Sequence, residues 1–273
     1  MPEGPEIRRE ADRIEAAVQG QRIEKVFFGL DRLSVWSSTL TGATVEAVGT
    51  RGKALLTTFD NGYTLYSHNQ LYGKWMVRKR GTLPKTNRQL RVALHTANAS
   101  ALLYSASSIE VLPTDALHDY PPIARLGPDV LDTELEWRDV ARRLRDPAFS
   151  GRALAALYLD QHFMAGIGNY LRSEILHTAG VHPSVRPKEL TTARIGQLAR
   201  ATLAISRRSY ETGGITASKA AVRRLRKQGM SRSGYRFSAF AREGLPCHRC
   251  GEPIARITAN SRRLYYCRAC QPR

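Results

Sequence analysis

Acidic side chains are scarce in this chain: its 273 residues carry 24 Asp and Glu against 42 Lys and Arg, a net charge of +18. A chain this basic meets a polyanion, and nucleic acid is the commonest one. Long apolar runs are missing as well. No stretch approaches the ~18–20 residues needed to cross a bilayer, so no membrane partner is expected. The first ten residues are charged and lack the apolar core of an export signal, which predicts a cytoplasmic protein. Cysteine is absent from the first 246 residues, and no internal repeat is visible. Hydrophobic residues still make up 42%, enough to build a core and to exclude disorder as the default.

The positive charge is concentrated. Residues 1–206 hold 26 basic and 21 acidic side chains, whereas residues 207–273 hold 16 basic and 3 acidic. A net +13 in the last quarter argues for a docking surface. All four cysteines lie there too, as two C-x-x-C pairs, Cys247/Cys250 and Cys267/Cys270. Two such pairs predict one structural zinc ion held by four thiolates, with His248 not needed as a ligand. A pair of disulfides is the alternative, and it needs an oxidising compartment. Between the pairs, residues 253–258 and 263–266 read as strands joined by a turn over 259–262, which puts Arg262 at or beside the tip. A finger this short cannot build its own core, so metal replaces it.

Elsewhere, apolar spacing predicts a helix over 5–19, ended by Gly20. Short strands follow at 22–28, 43–48, 53–59, 63–68, 90–96, 101–106 and 109–112, with a hairpin turn at Asp60-Asn61-Gly62. Two packed sheets are the natural arrangement. From about 132 the pattern turns helical. Thr133 to Glu136 resembles a capping box, and helices are expected over 152–163, 169–179 and 191–205. The glycine-rich turn at 165–170 has Asn169 opening the next helix, a candidate phosphate site. Residues 213–236 read as a partly mobile basic linker. The fold class is therefore multidomain α+β, with a boundary near 120–131.

The N-terminus carries potential chemistry. Methionine is normally removed before a small residue such as proline, which would leave Pro2 as a free secondary amine. Its reference pKa of about 7.7–8.0 leaves it partly neutral at physiological pH. A neutral amine attacks an aldehyde-like carbon to give an iminium. The positive end of the following helix would lower that pKa further. Glu3 stands beside the amine as a proton donor or relay. An ordinary helix start is the competing reading.

Taken in order, Pro2-Glu3-Gly4-Pro5-Glu6, Arg51-Gly52-Lys53, Gly166-Ile167-Gly168-Asn169-Tyr170 and the four-cysteine finger resemble the formamidopyrimidine-DNA glycosylase/endonuclease VIII family along essentially the whole chain. The resemblance implies a β-sandwich domain with a leading helix (1–125), a helix–two-turn–helix domain with the basic segment (126–236) and a zinc finger (237–273). It implies DNA in a cleft between the two main domains and a monomeric enzyme at the bacterial nucleoid. The stretch Gln70-Leu71-Tyr72 resembles the endonuclease VIII triplet that fills the void left by a flipped nucleotide.

By the same resemblance, Pro2 is the nucleophile on the anomeric carbon of the sugar and Glu3 the general acid. Lys53 is the catalytic lysine, protonating a leaving group or holding a phosphate. Arg262 is the finger arginine at the lesion phosphates, although Arg263 beside it departs from the usual pattern. Arg125 and Asn169 contact DNA phosphates. The implied activity is excision of oxidised bases, mainly pyrimidines, from double-stranded DNA, followed by β,δ-elimination. An oxidised-purine glycosylase and a noncatalytic zinc-finger DNA-binding protein are the alternatives. A pure binder has no use for Pro2 and Glu3. The segment 213–236 matches no motif of the family.

Overall fold

Ile7, Ala11, Ile14 and Val18 recur at helical spacing. In the computed structural model, which describes residues 2–273, they form the buried stripe of helix α1 (Gly4–Val18). A capping box closes its first turn: the Glu3 N–H donates to Glu6 Oε2 at 3.1 Å. The strands that follow are β1 (Lys25–Phe28), β2 (Val45–Arg51), β3 (Ala54–Phe59), β4 (Tyr63–His68), β5 (Lys74–Lys79), β6 (Leu90–His95), β7 (Ala99–Tyr104) and β8 (Ser108–Pro113), with short helices α2 (Trp36–Leu40) and α3 (Pro121–Ala124).

They form two antiparallel four-stranded sheets, ordered β1-β6-β7-β5 and β2-β3-β4-β8. Val26, Val48, Leu55, Leu65, Leu94, Leu103 and Ile109 from the strands share one core with the α1 stripe. Helix α1 packs against β2, β3, β5 and β7. Strand β5 is not among the strands expected from the sequence. It is an edge strand with Lys74, Arg78 and Lys79 at its ends and Trp75 as its only fully buried side chain, so it shows little alternation.

This first unit ends at Arg125, and the second runs from Leu126 to Arg273. Its helices are α4 (Trp137–Arg145), α5 (Pro147–Ser150), α6 (Leu154–Leu157), α7 (Asn169–Ala179), α8 (Thr192–Glu211), α9 (Lys219–Lys227) and α10 (Arg232–Tyr235). The hairpin β9 (Ile254–Ala259) and β10 (Arg262–Cys267) completes it. Among the described residues, no helix is long and apolar enough to cross a membrane.

Four local expectations are corrected in this unit. The capping box of α4 lies three residues later than Thr133–Glu136: Glu136 is the N-cap and its N–H donates to Asp139. Only 154–157 of the expected helix 152–163 is helical. Asp160 accepts the His162 N–H at 2.9 Å, and Gln161 donates to the carbonyls of Leu159 and Ile167, so side chains compete with the helical ladder. Helix α8 runs on to Glu211. Finally, 213–236 is more than a linker. It holds α9 and α10, with Ser218 accepting the Ala221 N–H as N-cap and Arg236 donating to the Gly214 carbonyl at 2.8 Å.

Candidate active site

Three segments named from the sequence lie in the first unit: one opens α1, and the other two adjoin strands that pack on it. Pro2 is half-buried just before the helix, and Glu3 is its buried N-cap. Lys53 sits in the two-residue turn between β2 and β3, beside Gly52, whose φ of 62° is the left-handed value such a hairpin needs at its first central position. The third segment is the loop 69–73 between β4 and β5.

That loop is built to present its tip. Asn69 is buried and donates its side-chain amide to Glu10 Oε2 of α1 at 2.6 Å. Its carbonyl accepts the Gly73 N–H at 2.7 Å, and a Cβ on Gly73 would meet that same carbonyl at 2.6 Å, so only glycine closes the loop. Gln70 is held at a φ of 49°, its N–H donating to His68 Nδ1 at 2.9 Å and its Oε1 accepting from Ser107 Oγ at 2.8 Å. The Tyr72 carbonyl accepts from Arg88. With the backbone pinned, Leu71 and Tyr72 are left 55% and 67% exposed. Two large apolar side chains raised on a pinned loop contribute little to the packing of the fold.

Two titratable groups flank the loop. Burial first, and then the charge of Lys53, holds His68 below the usual histidine range. A neutral ring is what its Nδ1 needs to accept the Gln70 N–H. Burial pushes the Glu10 carboxyl up, against the lowering effects of the Asn69 amide, the Trp75 N–H, Arg13 and Lys74. Sequence reasoning missed Glu10, His68, Ser107 and Arg88. Glu10 alone left a signal, as an acid on the half-buried side of an amphipathic helix.

In the second unit the parts converge on α7. This helix is buried on nearly every side, yet it carries Arg172, Glu174 and His177. Each is satisfied. Asn169 Nδ2 donates to the Arg263 carbonyl at 2.7 Å, while its Oδ1 accepts from Arg172 Nη2 at 2.6 Å. The side chain of Asn169 thus fastens the finger hairpin to the helix start. Glu174 accepts the N–H groups of Ser238, Ala239 and Phe240 at 2.7–2.8 Å and the Thr216 hydroxyl at 2.5 Å. It fixes the chain that leads into the finger. Gln161 shapes the glycine-rich turn, accepting the Gly166 N–H at 3.1 Å.

The hairpin turn is Asn260-Ser261, both at left-handed φ, so β10 begins at Arg262, opposite Ala259. Strand alternation then separates the two arginines. The cross-strand pairs Ala259–Arg262, Ile257–Leu264 and Ala255–Tyr266 share one face, and their apolar members pack on the helical core. Arg263 lies on the other face with Tyr265 and Cys267, which belong to the finger's own cluster. Both arginines are exposed. Arg125 is exposed at the end of α3, the last residue of the first unit.

The sulphurs of Cys247, Cys250, Cys267 and Cys270 all lie within 4.8 Å of one another, with Cys247–Cys270 at 3.9 Å and Cys250–Cys267 at 3.4 Å. Those separations exclude disulfides, whose sulphurs stand about 2.05 Å apart. They match the edges of a tetrahedron with metal–sulphur bonds of about 2.3 Å. Four thiolates this close repel one another, so they coexist there only around a cation. The donor set fits one structural zinc ion, with no open position. His177 of α7 reaches the Cys247 sulphur at 3.4 Å.

Comparison with known proteins agrees with this arrangement. The formamidopyrimidine-DNA glycosylase N-terminal domain matches residues 1–107, the helix–two-turn–helix domain of the same enzymes 126–221, and a zinc finger found in these glycosylases and isoleucyl-tRNA synthetase 244–273. Endonuclease 8 of Escherichia coli is 48% identical over 271 residues, covering 99% of this chain and 100% of that one. Endonuclease 8 of Salmonella schwarzengrund is 47% identical over 271 residues, with the same coverage. The fold is shared with a formamidopyrimidine-DNA glycosylase of Lactococcus lactis, solved with DNA containing an oxidised pyrimidine, at a TM-score of 0.82, 22% identity and full coverage of both chains. Matches of this length and identity make the chain a member of the formamidopyrimidine-DNA glycosylase/endonuclease VIII family.

Proposed function

We propose that the protein is a bifunctional DNA glycosylase and abasic-site lyase of base excision repair, acting as a monomer on oxidised bases, mainly pyrimidines, in double-stranded DNA. One observation carries this reading. The Asn69–Glu10 hydrogen bond fastens the loop bearing exposed Leu71 and Tyr72 to the helix that follows Pro2 and Glu3. A wedge for the duplex and an amine for the sugar are thus held by one rigid element, Glu3 and Glu10 being about 10 Å apart along it. Met1, whose removal frees the Pro2 amine, lies outside the described residues.

In this reading Leu71 and Tyr72, with Gln70, occupy the space vacated when the damaged nucleotide leaves the stack. The Pro2 nitrogen attacks the anomeric carbon, the bond to the base breaks, and Glu3 supplies the proton that opens the sugar ring. The resulting iminium acidifies the neighbouring carbon. Loss of its proton expels the 3′ phosphate, and a second elimination expels the 5′ phosphate. Lys53 holds or protonates the departing groups. Arg262 contacts the phosphates at the lesion from the helical side of the hairpin. Arg125 and Asn169 belong to the phosphate contacts, Asn169 through its position at the start of α7, since its side chain is already engaged by Arg172 and Arg263. Bound zinc closes the four-thiolate shell and staples the hairpin.

The catalytic work falls to 1–125, DNA holding to 126–236 and the finger to 237–273. The protein works in the bacterial cytoplasm, at the nucleoid through its substrate. The test is incision of duplexes carrying thymine glycol, dihydrouracil or 8-oxoguanine. Faster cutting at the two pyrimidines is expected. A preference for 8-oxoguanine would overturn the lesion class, and no incision at any lesion would overturn the activity.

A further inference from the structure

The observation is α9, the helix that replaces the expected linker. Its nine residues include Lys219, Arg223, Arg224, Arg226 and Lys227 and no acid. One side is anchored. Leu225 is buried, Arg226 lies over the Tyr235 ring at 5.0 Å and donates to its hydroxyl at 3.1 Å, and Arg224 donates to the His248 carbonyl in the first cysteine knuckle at 2.9 Å. The other side is Lys219, Arg223 and Lys227, all exposed. These three are spaced four residues apart, so they project as one row at intervals of about 6 Å. Among the described residues, no carboxylate forms an ion pair with any basic side chain of α9. Like charges four apart on a helix destabilise one another, so the row opposes the helix that carries it. Its pairing with an anion relieves that repulsion.

We propose that Lys219, Arg223 and Lys227 form a surface that holds the phosphates of undamaged duplex beside the lesion. The proposal rests on the DNA-repair reading above and extends it. The occupant follows from charge complementarity: a row of three cations on a rigid helix matches a line of phosphates. Arg224 ties the row to the finger, so the helix and the hairpin meet the duplex as one body. Contacts to phosphate carry no sequence or lesion information. The surface therefore contributes affinity for any duplex and leaves discrimination to the wedge loop.

The test is equilibrium binding to lesion-bearing and undamaged duplexes of equal length over a range of potassium chloride, for the full chain and for Lys219→Gln/Arg223→Gln/Lys227→Gln. The substitutions spare Leu225, Arg224 and Arg226, so the helix keeps its anchors. The expected result is a log–log salt slope shallower by about 2 to 3, at about 0.9 for each phosphate no longer neutralised. Affinity for both duplexes should fall by the same factor. Arg223→Gln alone should lower the slope by about one, and Lys219→Arg/Lys227→Arg should leave it unchanged. An unchanged slope in the triple variant overturns the proposal. A weakening confined to lesion-bearing duplex also overturns it, because the helix would then read damage. Failure of the underlying enzymatic reading shows separately, as absence of incision by the unsubstituted chain.

Discussion

Asn69 donates to Glu10 across 59 residues of sequence, and the position that allows this bond buries the Glu10 carboxyl. That carboxyl sits above its ordinary value of 4.5, so the folded chain binds a proton there more tightly than the unfolded chain does. Stability linked to this group is therefore present at low pH and lost as pH rises from about 4.5 through the raised value. Glu10→Gln removes the titration. Urea unfolding from about pH 4 to about pH 8 should show wild-type stability falling relative to Glu10→Gln as pH rises. The opposite slope would mean that the donors around Glu10 outweigh its burial.

Leu71 and Tyr72 contribute almost nothing to the core and Gln70 only an exposed hydrogen bond with Ser107, so Gln70→Ala/Leu71→Ala/Tyr72→Ala should leave unfolding stability within about 1 kcal/mol of wild type. Binding to lesion-bearing duplex should weaken by a few kcal/mol, the cost of leaving the stack empty, with a much smaller effect on undamaged duplex. Equal weakening on both DNAs in a fluorescence titration would make these residues general DNA contacts.

Arg262 and Arg263 face opposite sides of β10, and only Arg262 shares the face that packs on the helices. Arg262→Ala should reduce strand cleavage at a preformed abasic site by about 10- to 100-fold, the worth of charge-assisted hydrogen bonds of about 1.5–3 kcal/mol. Arg262→Lys should restore charge without the guanidinium's fork and recover only part of the rate. Arg263→Ala should be close to wild type in gel assays of cleavage. Damage from Arg263→Ala with a silent Arg262→Ala would reverse the assignment.

The finger depends on its metal. Purified protein should contain about one zinc per chain, and Cys267→Ser/Cys270→Ser should contain none. Chelation should unfold the hairpin and reduce strand cleavage at least as far as Arg262→Ala does, since the position of Arg262 is set by β10. Metal analysis showing full loading of the double variant would exclude this ligand set.

Periodicity makes much of this molecule legible. The stripe Ile7, Ala11, Ile14, Val18 marks α1, and the apolar and aromatic run in 63–68 marks β4, because a strand or helix set against a core leaves its pattern in the sequence. The cysteine spacing marks the ligand set. Strand β5 is invisible because an edge strand needs few apolar residues, and α9 because a helix with one buried residue has no stripe. At the site, Gln70-Leu71-Tyr72 are named by family likeness. What holds them, Glu10 with Asn69 and His68 with Gln70, comes only from tertiary contact. The buried charges of α7 escape a sequence reading for the same reason: Glu174 finds its backbone partners 64 to 66 residues away, and nothing local announces them.

The central claim is that the amine of Pro2 attacks the sugar. Incubation with thymine glycol duplex and sodium borohydride should reduce the iminium and leave the chain covalently attached to DNA. Mass spectrometry of the digested product should find the adduct on the N-terminal peptide at Pro2, with methionine absent. An adduct on Lys53, or trapping that persists undiminished in a chain retaining Met1, would contradict the account.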